Sequence, residues 1–461
     1  MQAARPGLAM DQAPFISGID FSQLKMRVST GRYSSADFAA RERDNLWMRV
    51  WQIAGRADEI SEAGDWLVHE LFDQSYVLVR QKDGSVRGFV NACRHRGNAF
   101  CQGKGRSARF TCPYHNWSYG LDGQCLSVAK PDYEGPVEEF VGSKQELGLI
   151  EVPTGLFAGF IFFNPDPHCA PLAEFLGEAG PQLAAYRLEE MVPAGLNVRE
   201  TIEANWKTVL DAFLEGYHVQ GVHPELIPFT DFSQERCGLF GLHAATTVPF
   251  GAPGEALAEG PESIEMVRAL PVANFPGLAD VLPRFEELVA RYTGTDGALA
   301  LPPGVTGRTL LQQAKRDTFT ARGLDVSALT DNQLSDYQFW VLFPNVYIQV
   351  GAGEATVIWM RPHPMGDPNR CFWQVTNIHW LPPEQREAAR EPLLEVPPGE
   401  HFPYFLALEQ DFQQLEAQQK GLRNRAMESM ALTRQEPKVA YYHSVLDRWV
   451  ERNLEQAPCK P

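Results

Sequence analysis

A chain of 461 residues with 44% apolar and 21% charged residues has the balance of an ordinary globular protein, and it is too long for one core, so two domains with an appended arm are expected. Its formal net charge of −17 repels nucleic acid and anionic membrane alike and argues against both as partners. No stretch approaches the roughly 20 apolar residues of a bilayer span. The N-terminus lacks a basic segment followed by an apolar core, so no signal peptide is expected, and eight cysteines without disulfide-framework spacing make the cytoplasm the expected compartment.

In chain order, residues 1–45 form an N-terminal arm packing on the catalytic domain, with Ser35 as N-cap of a helix from Ala36 to Ala40. From about Trp51 to Pro165 the texture turns to short β-rich runs at Tyr76–Arg80, Val86–Val90 and Gly159–Phe163. The most apolar run, Leu156 to Phe163, reads as one buried strand. Asp83-Gly84 and Asp122-Gly123 are hairpin turn signals. Residues 46–165 are thus expected to form a small antiparallel β domain.

Inside it, Asn91-Ala92-Cys93-Arg94-His95-Arg96-Gly97 and Thr111-Cys112-Pro113-Tyr114-His115-Asn116-Trp117 make two matching loops. Each offers one thiolate and one imidazole: C-x-H, a 16-residue spacer, then C-x2-H. The pair Cys93/Cys112 can hold one iron of a [2Fe–2S] cluster while His95/His115 hold the other, and the neutral imidazoles raise the potential above that of an all-thiolate cluster. The rivals are a structural zinc site, a disulfide using Cys101, and chance clustering of core cysteines. A zinc finger brings its ligands as a Cys pair and a His pair rather than two mixed pairs, which weighs against the first. Cys101 reads as a buried small residue, and the eight cysteines show no disulfide-framework spacing.

Residues 91–120, down to CRHRG and CPYHNWSYG, resemble the Rieske domain of the ring-hydroxylating oxygenase α subunits. The resemblance extends over most of the chain. It implies an α+β protein: the Rieske domain, then a helix-grip catalytic domain over 166–461, an antiparallel sheet packed with helices.

The residues beyond 165 fit that outline. Ile202 to Tyr217 has apolar positions at helical spacing with Glu203, Lys207, Asp211 and Glu215 between them. Residues 235–330 are turn-rich and uninformative. Phe339–Val350, Thr356–Met360 and Phe372–Trp380 are expected strands, and Tyr404–Leu422 an expected helix. On the 202–217 helix, Asp211, Glu215 and His218 would share one face. His223 closes in where the helix breaks before Pro224, and two imidazoles with a carboxylate leave positions open on Fe(II) for dioxygen and substrate. Phe213, Leu214, Val219 and the strands around Phe339–Val350 are candidate pocket walls.

The resemblance implies His218 and His223 as mononuclear iron ligands. It implies a third ligand from a late helix, best matched by Asp411 in Leu408-Glu409-Gln410-Asp411-Phe412, with Glu409 and Glu416 as competitors. Many members carry an aspartate three residues before the first iron histidine, linking the cluster of one subunit to the iron of its neighbour. Here that position is Glu215, with Asp211 as fallback, and branches that oxidise quaternary amines or remove N- or O-alkyl groups also have glutamate there. Asn205 matches a family asparagine close to the iron.

The implied activity is that of a terminal oxygenase component, using O2 and electrons from an NAD(P)H-dependent reductase, with or without a ferredoxin, to hydroxylate an aromatic compound. The alternative is a monooxygenase performing N- or O-dealkylation or quaternary-amine oxidation; an electron carrier or a zinc scaffold are rivals from other classes. No Gly-rich dinucleotide fingerprint follows a strand, so electrons must come from a partner. The resemblance also implies a homotrimer, or an α3β3 assembly with a small subunit.

Overall fold

A computed structural model describes residues 10–129, 143, 145–229, 232–249, 260–270 and 277–451. The chain divides into two compact units, Ala40–Phe175 with Pro364–Gly366 and Val450–Pro461, and a larger one of Met1–Ala39, Leu176–His363 and Asp367–Trp449. Among the described residues no helix is long and apolar enough to cross a membrane.

The sheets of the smaller unit are all antiparallel. Five strands run in the order Glu151–Val152, Val86–Val90, Gln74–Arg80, Asp65–Leu71 and Lys104–Arg106. Two three-stranded sheets complete it, and the Asp83-Gly84 and Asp122-Gly123 turns join strands as expected. The Leu156–Phe163 run is not one strand. It folds into a hairpin of Thr154–Phe157 on Phe160–Phe163, because Ala158 (φ 52°) and Gly159 (φ 78°) both take left-handed backbone, the conformation a tight two-residue hairpin demands.

The larger unit is built on one eight-stranded sheet. In chain order its strands are β1 (Val192–Ile202), β2 (Arg236–Phe240), β3 (His243–Val248), β4 (Tyr337–Leu342), β5 (Val346–Gly351), β6 (Glu354–Pro362), β7 (Cys371–His379) and β8 (Leu394–Glu395). They lie in the order β2-β3-β4-β5-β6-β7-β1-β8. Neighbours are antiparallel except β1 and β8. The helices that matter are α1 (Trp206–Ala212), α2 (Val219–Val222), α3 (Pro261–Arg268), α4 (Leu278–Ala290), α5 (Gly307–Ala321), α6 (Leu406–Leu422) and α7 (Pro437–Val450). Helices and antiparallel sheet together give the expected α+β class.

Three expectations need correction here. Phe339–Val350 is the β4/β5 hairpin, turned at Phe343-Pro344-Asn345; a proline inside an apparent strand is the signal that should have divided it. The expected 202–217 helix shrinks to α1. Ile202 still belongs to β1, and Asn205, with extended backbone, caps the helix by accepting from the Lys207 N–H at 3.0 Å. The stretch 235–330, read as turn-rich and uninformative, holds β2, β3 and three helices among its described residues. In α4 the buried positions Leu278, Val281, Phe285, Leu288 and Val289 keep helical spacing, but Pro283 within it masks the pattern.

Candidate metal centres and cavity

The two cysteine–histidine loops are built alike. In the first, Gly97 N–H donates to the Cys93 carbonyl and Cys93 N–H to the Asn98 carbonyl. In the second, Asn116 N–H donates to the Cys112 carbonyl and Cys112 N–H to the Trp117 carbonyl. Each loop closes through a left-handed residue four after the cysteine, Gly97 (φ 74°) and Asn116 (φ 57°), residue types that tolerate that backbone. Cys93 and Cys112 are 3% and 1% exposed, packed with Trp117, Tyr119 and Cys125. The imidazoles face outward: His95 Nδ1 and His115 Nδ1 lie 3.2 Å apart, and His95 stacks on Trp117. Cys93 Sγ is hydrogen-bonded to the Tyr119 hydroxyl at 3.2 Å, which also accepts from Arg94 N–H at 3.0 Å. Two buried cysteines and two converging imidazoles fit the donor set that would hold a [2Fe–2S] cluster. Cys101 is buried and all seven described cysteines are free thiols; its thiol is pushed up to about 12 by burial, the behaviour of an inert core cysteine.

In the larger unit His218, His223 and Asp411 come together, their ligand atoms all within 4.8 Å of one another. After α1 the chain makes a turn in which Glu215 does double duty: Oε2 accepts from His218 N–H at 2.9 Å and Oε1 lies 2.9 Å from His218 Nδ1. A carboxylate can only accept, so Nδ1 carries a proton, and Nε2 lies 3.6 Å from Asp411 Oδ1. His223, reached through the single turn α2, repeats the arrangement. Gln410 Oε1 lies 2.8 Å from its Nδ1, and its Nε2 lies 2.9 Å from Asp411 Oδ1. Both imidazoles thus offer Nε2 toward one carboxylate while an acceptor fixes each Nδ1, the supporting arrangement that metal histidines need. Burial lowers the pKa of both rings, but Glu215 and Asp411 outweigh it at His218, and Asp411 and Gln410 do so at His223, so both stand above the ordinary value. The donor set suits a ferrous ion with open positions.

Gln419 sets the spacing between the two halves of this centre. Its Oε1 accepts from Asn205 N–H (3.1 Å) and Thr208 Oγ1 (2.8 Å) on α1, and its Nε2 donates to the Tyr33 carbonyl (3.0 Å). Helix α6, which carries Asp411, is thereby tied to α1 and to the N-terminal arm. Glu409 instead meets His401 at 2.9 Å and Glu416 is exposed, so neither joins the trio.

Asp211 lies elsewhere than expected, and Asn205 serves as a helix cap. The Asn205 side chain is spent on the α1 cap and on the Pro368 carbonyl at 2.6 Å, and it does not line the cavity beside the trio. Asp211 points away, because α1 ends before the Glu215 turn and the shared face is lost. Its Oδ2 accepts from Tyr33 at 2.6 Å and lies 3.0 Å from His443 Nε2, which Arg32 braces from behind at 3.0 Å. Burial and the neighbouring Asp211 hold Tyr33 well above its usual value, so it stays a donor. Tyr33→Phe should cost ~1–3 kcal/mol by leaving Asp211 short of a buried partner; at roughly 2–4 °C per kcal/mol, a calorimetric scan should show a clear drop, and an unchanged transition would refute this bracing role.

The trio opens into a cavity of about 200 Å³. Its floor is one face of four strands, read every second residue: Thr246 and Val248 on β3, Tyr337 and Phe339 on β4, Tyr347 and Gln349 on β5, Thr356 and Ile358 on β6. Thr246, Phe339, Gln349 and Thr356 are direct cross-strand partners. Of the candidate walls, Phe213 and Val219 line it, whereas Leu214 is core. Gln410, which orients His223, and the cavity residues Glu235, Phe405 and Lys438 went unnoticed in the sequence; only Gln410 had a local signal, its place beside Asp411.

Residues 184–452 match the family described as the ring hydroxylating alpha subunit (catalytic domain), and residues 50–140 match the Rieske [2Fe-2S] domain. The carnitine monooxygenase oxygenase subunit of Escherichia coli (strain K12) is 32% identical over 227 residues, covering 48% of this chain and 57% of that protein. The chloroplastic choline monooxygenase of Atriplex hortensis is 28% identical over 214 residues, 45% of this chain and 48% of that one. The chain thus matches about half the length of these curated relatives. A solved quaternary ammonium Rieske monooxygenase shares the fold at TM-score 0.63 and 16% identity, over 97% of this chain and 100% of that one.

Proposed function

From the premise that this chain belongs to the ring-hydroxylating α-subunit family, whose Rieske and catalytic domains it carries, we propose that it is the oxygenase component of a quaternary-ammonium monooxygenase. Its cofactors are those of the family, a Rieske [2Fe–2S] cluster and a mononuclear iron. The observation that carries the reading is the aromatic cavity at the trio. Phe213, Phe339, Tyr347 and Phe405 line it beside His218 and Asp411, and aromatic faces attract a quaternary ammonium that can neither donate nor accept a hydrogen bond. The names of the curated relatives point the same way. The aromatic-ring substrate expected first from the sequence gives way to its quaternary-amine alternative.

In this reading Cys93 and Cys112 hold one cluster iron and His95 and His115 the other. His218, His223 and Asp411 hold the mononuclear iron, and Glu215 and Gln410 fix the two imidazoles that face it. The iron, when bound, supplies oxygen activation, and the cluster supplies electrons. The protein's part is to hold both Nε2 atoms toward Asp411, to seat the ammonium against aromatic walls, and to keep the reacting carbon in a largely apolar cavity. One oxygen atom enters a C–H bond beside the quaternary nitrogen and the other leaves as water, consuming two electrons and two protons. The hydroxylated carbon then expels the neutral amine, releases its hydroxyl proton and becomes a carbonyl. Electrons come from a separate NAD(P)H-dependent reductase, with or without a ferredoxin, and pass in a homotrimer from the His95/His115 edge through Glu215 to His218 of a neighbouring subunit. A cytoplasmic location fits such partners.

The test is a single turnover of dithionite-reduced protein with O2 and a panel of quaternary amines and aromatic compounds. Amine and carbonyl products from the former are expected; hydroxylated rings with no amine release would overturn the reading.

A further inference from the structure

The cavity contains a buried cation that neither metal centre uses. Lys438, in the first turn of α7, is 1% exposed yet lines the cavity. Its ammonium donates to Thr246 Oγ1 at 3.1 Å and to the Phe339 carbonyl at 2.9 Å. An ammonium has three hydrogens to give, so one is left without a partner among the described residues. Glu235, 5% exposed, also lines the cavity and is hydrogen-bonded to the same Thr246. Thr246 therefore stands between a buried acid and a buried base. Burial pushes the Glu235 carboxyl up and the Lys438 ammonium down, and each partly restores the other.

A substrate that is only a cation would leave that third ammonium hydrogen unspent, with Glu235 as the counter-charge of Lys438. A carboxylate on the same molecule would accept it. The two ends of the floor are placed for it. Thr246 on β3 and Tyr347 on β5 are two strands apart, roughly 10 Å by ordinary strand spacing, and Tyr347 packs on Phe213, 5.2 Å between ring centroids, in the turn that leads to His218. Phe213 and Tyr347 form an aromatic seat beside the trio, and Lys438 is held at Thr246, on another strand of the same floor.

We propose that Lys438, held by Thr246 and the Phe339 carbonyl, binds a carboxylate on the substrate, so that the enzyme takes zwitterionic quaternary ammonium acids in preference to quaternary ammonium alcohols. This rests on the quaternary-ammonium reading above. It makes Lys438 a specificity residue, with Thr246 and Glu235 positioning it.

The experiment compares kcat/KM for carnitine or glycine betaine with that for choline, in the wild-type holoenzyme and in Lys438→Met and Lys438→Arg. A lost charge-assisted hydrogen bond corresponds to roughly tenfold or more in affinity. The preference for acid over alcohol should therefore fall by about that factor in Lys438→Met, chiefly through KM, and return in Lys438→Arg. An unchanged preference in a Lys438→Met protein that keeps its cluster absorption would overturn the proposal. Should that variant fail to fold, the wild type decides alone. The methyl ester of the acid should lose the same factor, and an ester as good as the acid refutes the role. If the wild type refuses every quaternary ammonium but accepts carboxylic acids without one, the parent reading falls. The Lys438 assignment then stands or falls on whether Lys438→Met weakens those acids.

Discussion

Asp411→Ala should leave a protein that keeps its cluster colour but binds almost no mononuclear iron and turns over no substrate. Both Nε2 atoms of the centre face this one carboxylate, His223 at 2.9 Å and His218 at 3.6 Å, so its removal takes away the only anion of the donor trio. Disturbing a supporting partner of a metal ligand typically costs roughly 10–100-fold in metal affinity or activity, and losing a ligand should exceed that. The readout is iron per chain after desalting, alongside the visible spectrum of the cluster. A variant that retained one extra iron per chain would move the third ligand elsewhere. Glu409 is a poor substitute because it is engaged by His401, which also bonds the buried Glu200 at 2.9 Å.

Glu215→Gln should separate holding iron from receiving electrons. The glutamate accepts two hydrogen bonds from one residue, from the backbone N–H and from the imidazole Nδ1–H of His218. A glutamine has one oxygen for two donors, and its NH2 would face a donor. The ring therefore loses either its anchor or its anionic partner while its Nε2 remains available. At saturating ferrous ion both metals should load. The rate at which the reduced cluster is reoxidised by O2 and substrate should fall by ~10–100-fold, the scale of supporting-partner effects. A purely structural role would lower iron retention and leave that rate intact at full occupancy. An unchanged reoxidation rate would remove Glu215 from the electron path.

What could be read from the sequence divides along a physical line. The cluster loops were legible because their donors are local: each cysteine and its histidine lie within one turn-forming segment whose glycine or asparagine supplies the backbone. His218 and His223 are likewise five residues apart. Asp411 could be named only through the family resemblance, since nothing near residue 218 encodes a partner nearly two hundred positions later; the contact is created by the packing of α6 against α1 through Gln419. The misplacement of Asp211 has one cause, the helix boundary. Apolar spacing ran on past Ala212, but the Glu215 carboxylate takes the His218 N–H and turns the chain, so 211 and 215 face different neighbours. The cavity was the least legible part. Its floor draws alternate residues from four strands whose register was hidden by the Pro344 turn, and Glu235 and Lys438 meet through Thr246 across some two hundred residues. A lysine in an unremarkable Gln435-Glu436-Pro437-Lys438 segment carries no sequence sign of being buried in the wall of a cavity.

The most direct test of the two-centre account is electron paramagnetic resonance on anaerobically purified, dithionite-reduced protein before and after nitric oxide. The account predicts a Rieske signal of low average g together with a high-spin iron–nitrosyl signal, the latter absent in Asp411→Ala. A Rieske signal without the nitrosyl in iron-replete wild type would contradict the His218/His223/Asp411 centre and reopen the electron-carrier reading, and the absence of any Rieske signal would contradict the assignment of Cys93, His95, Cys112 and His115.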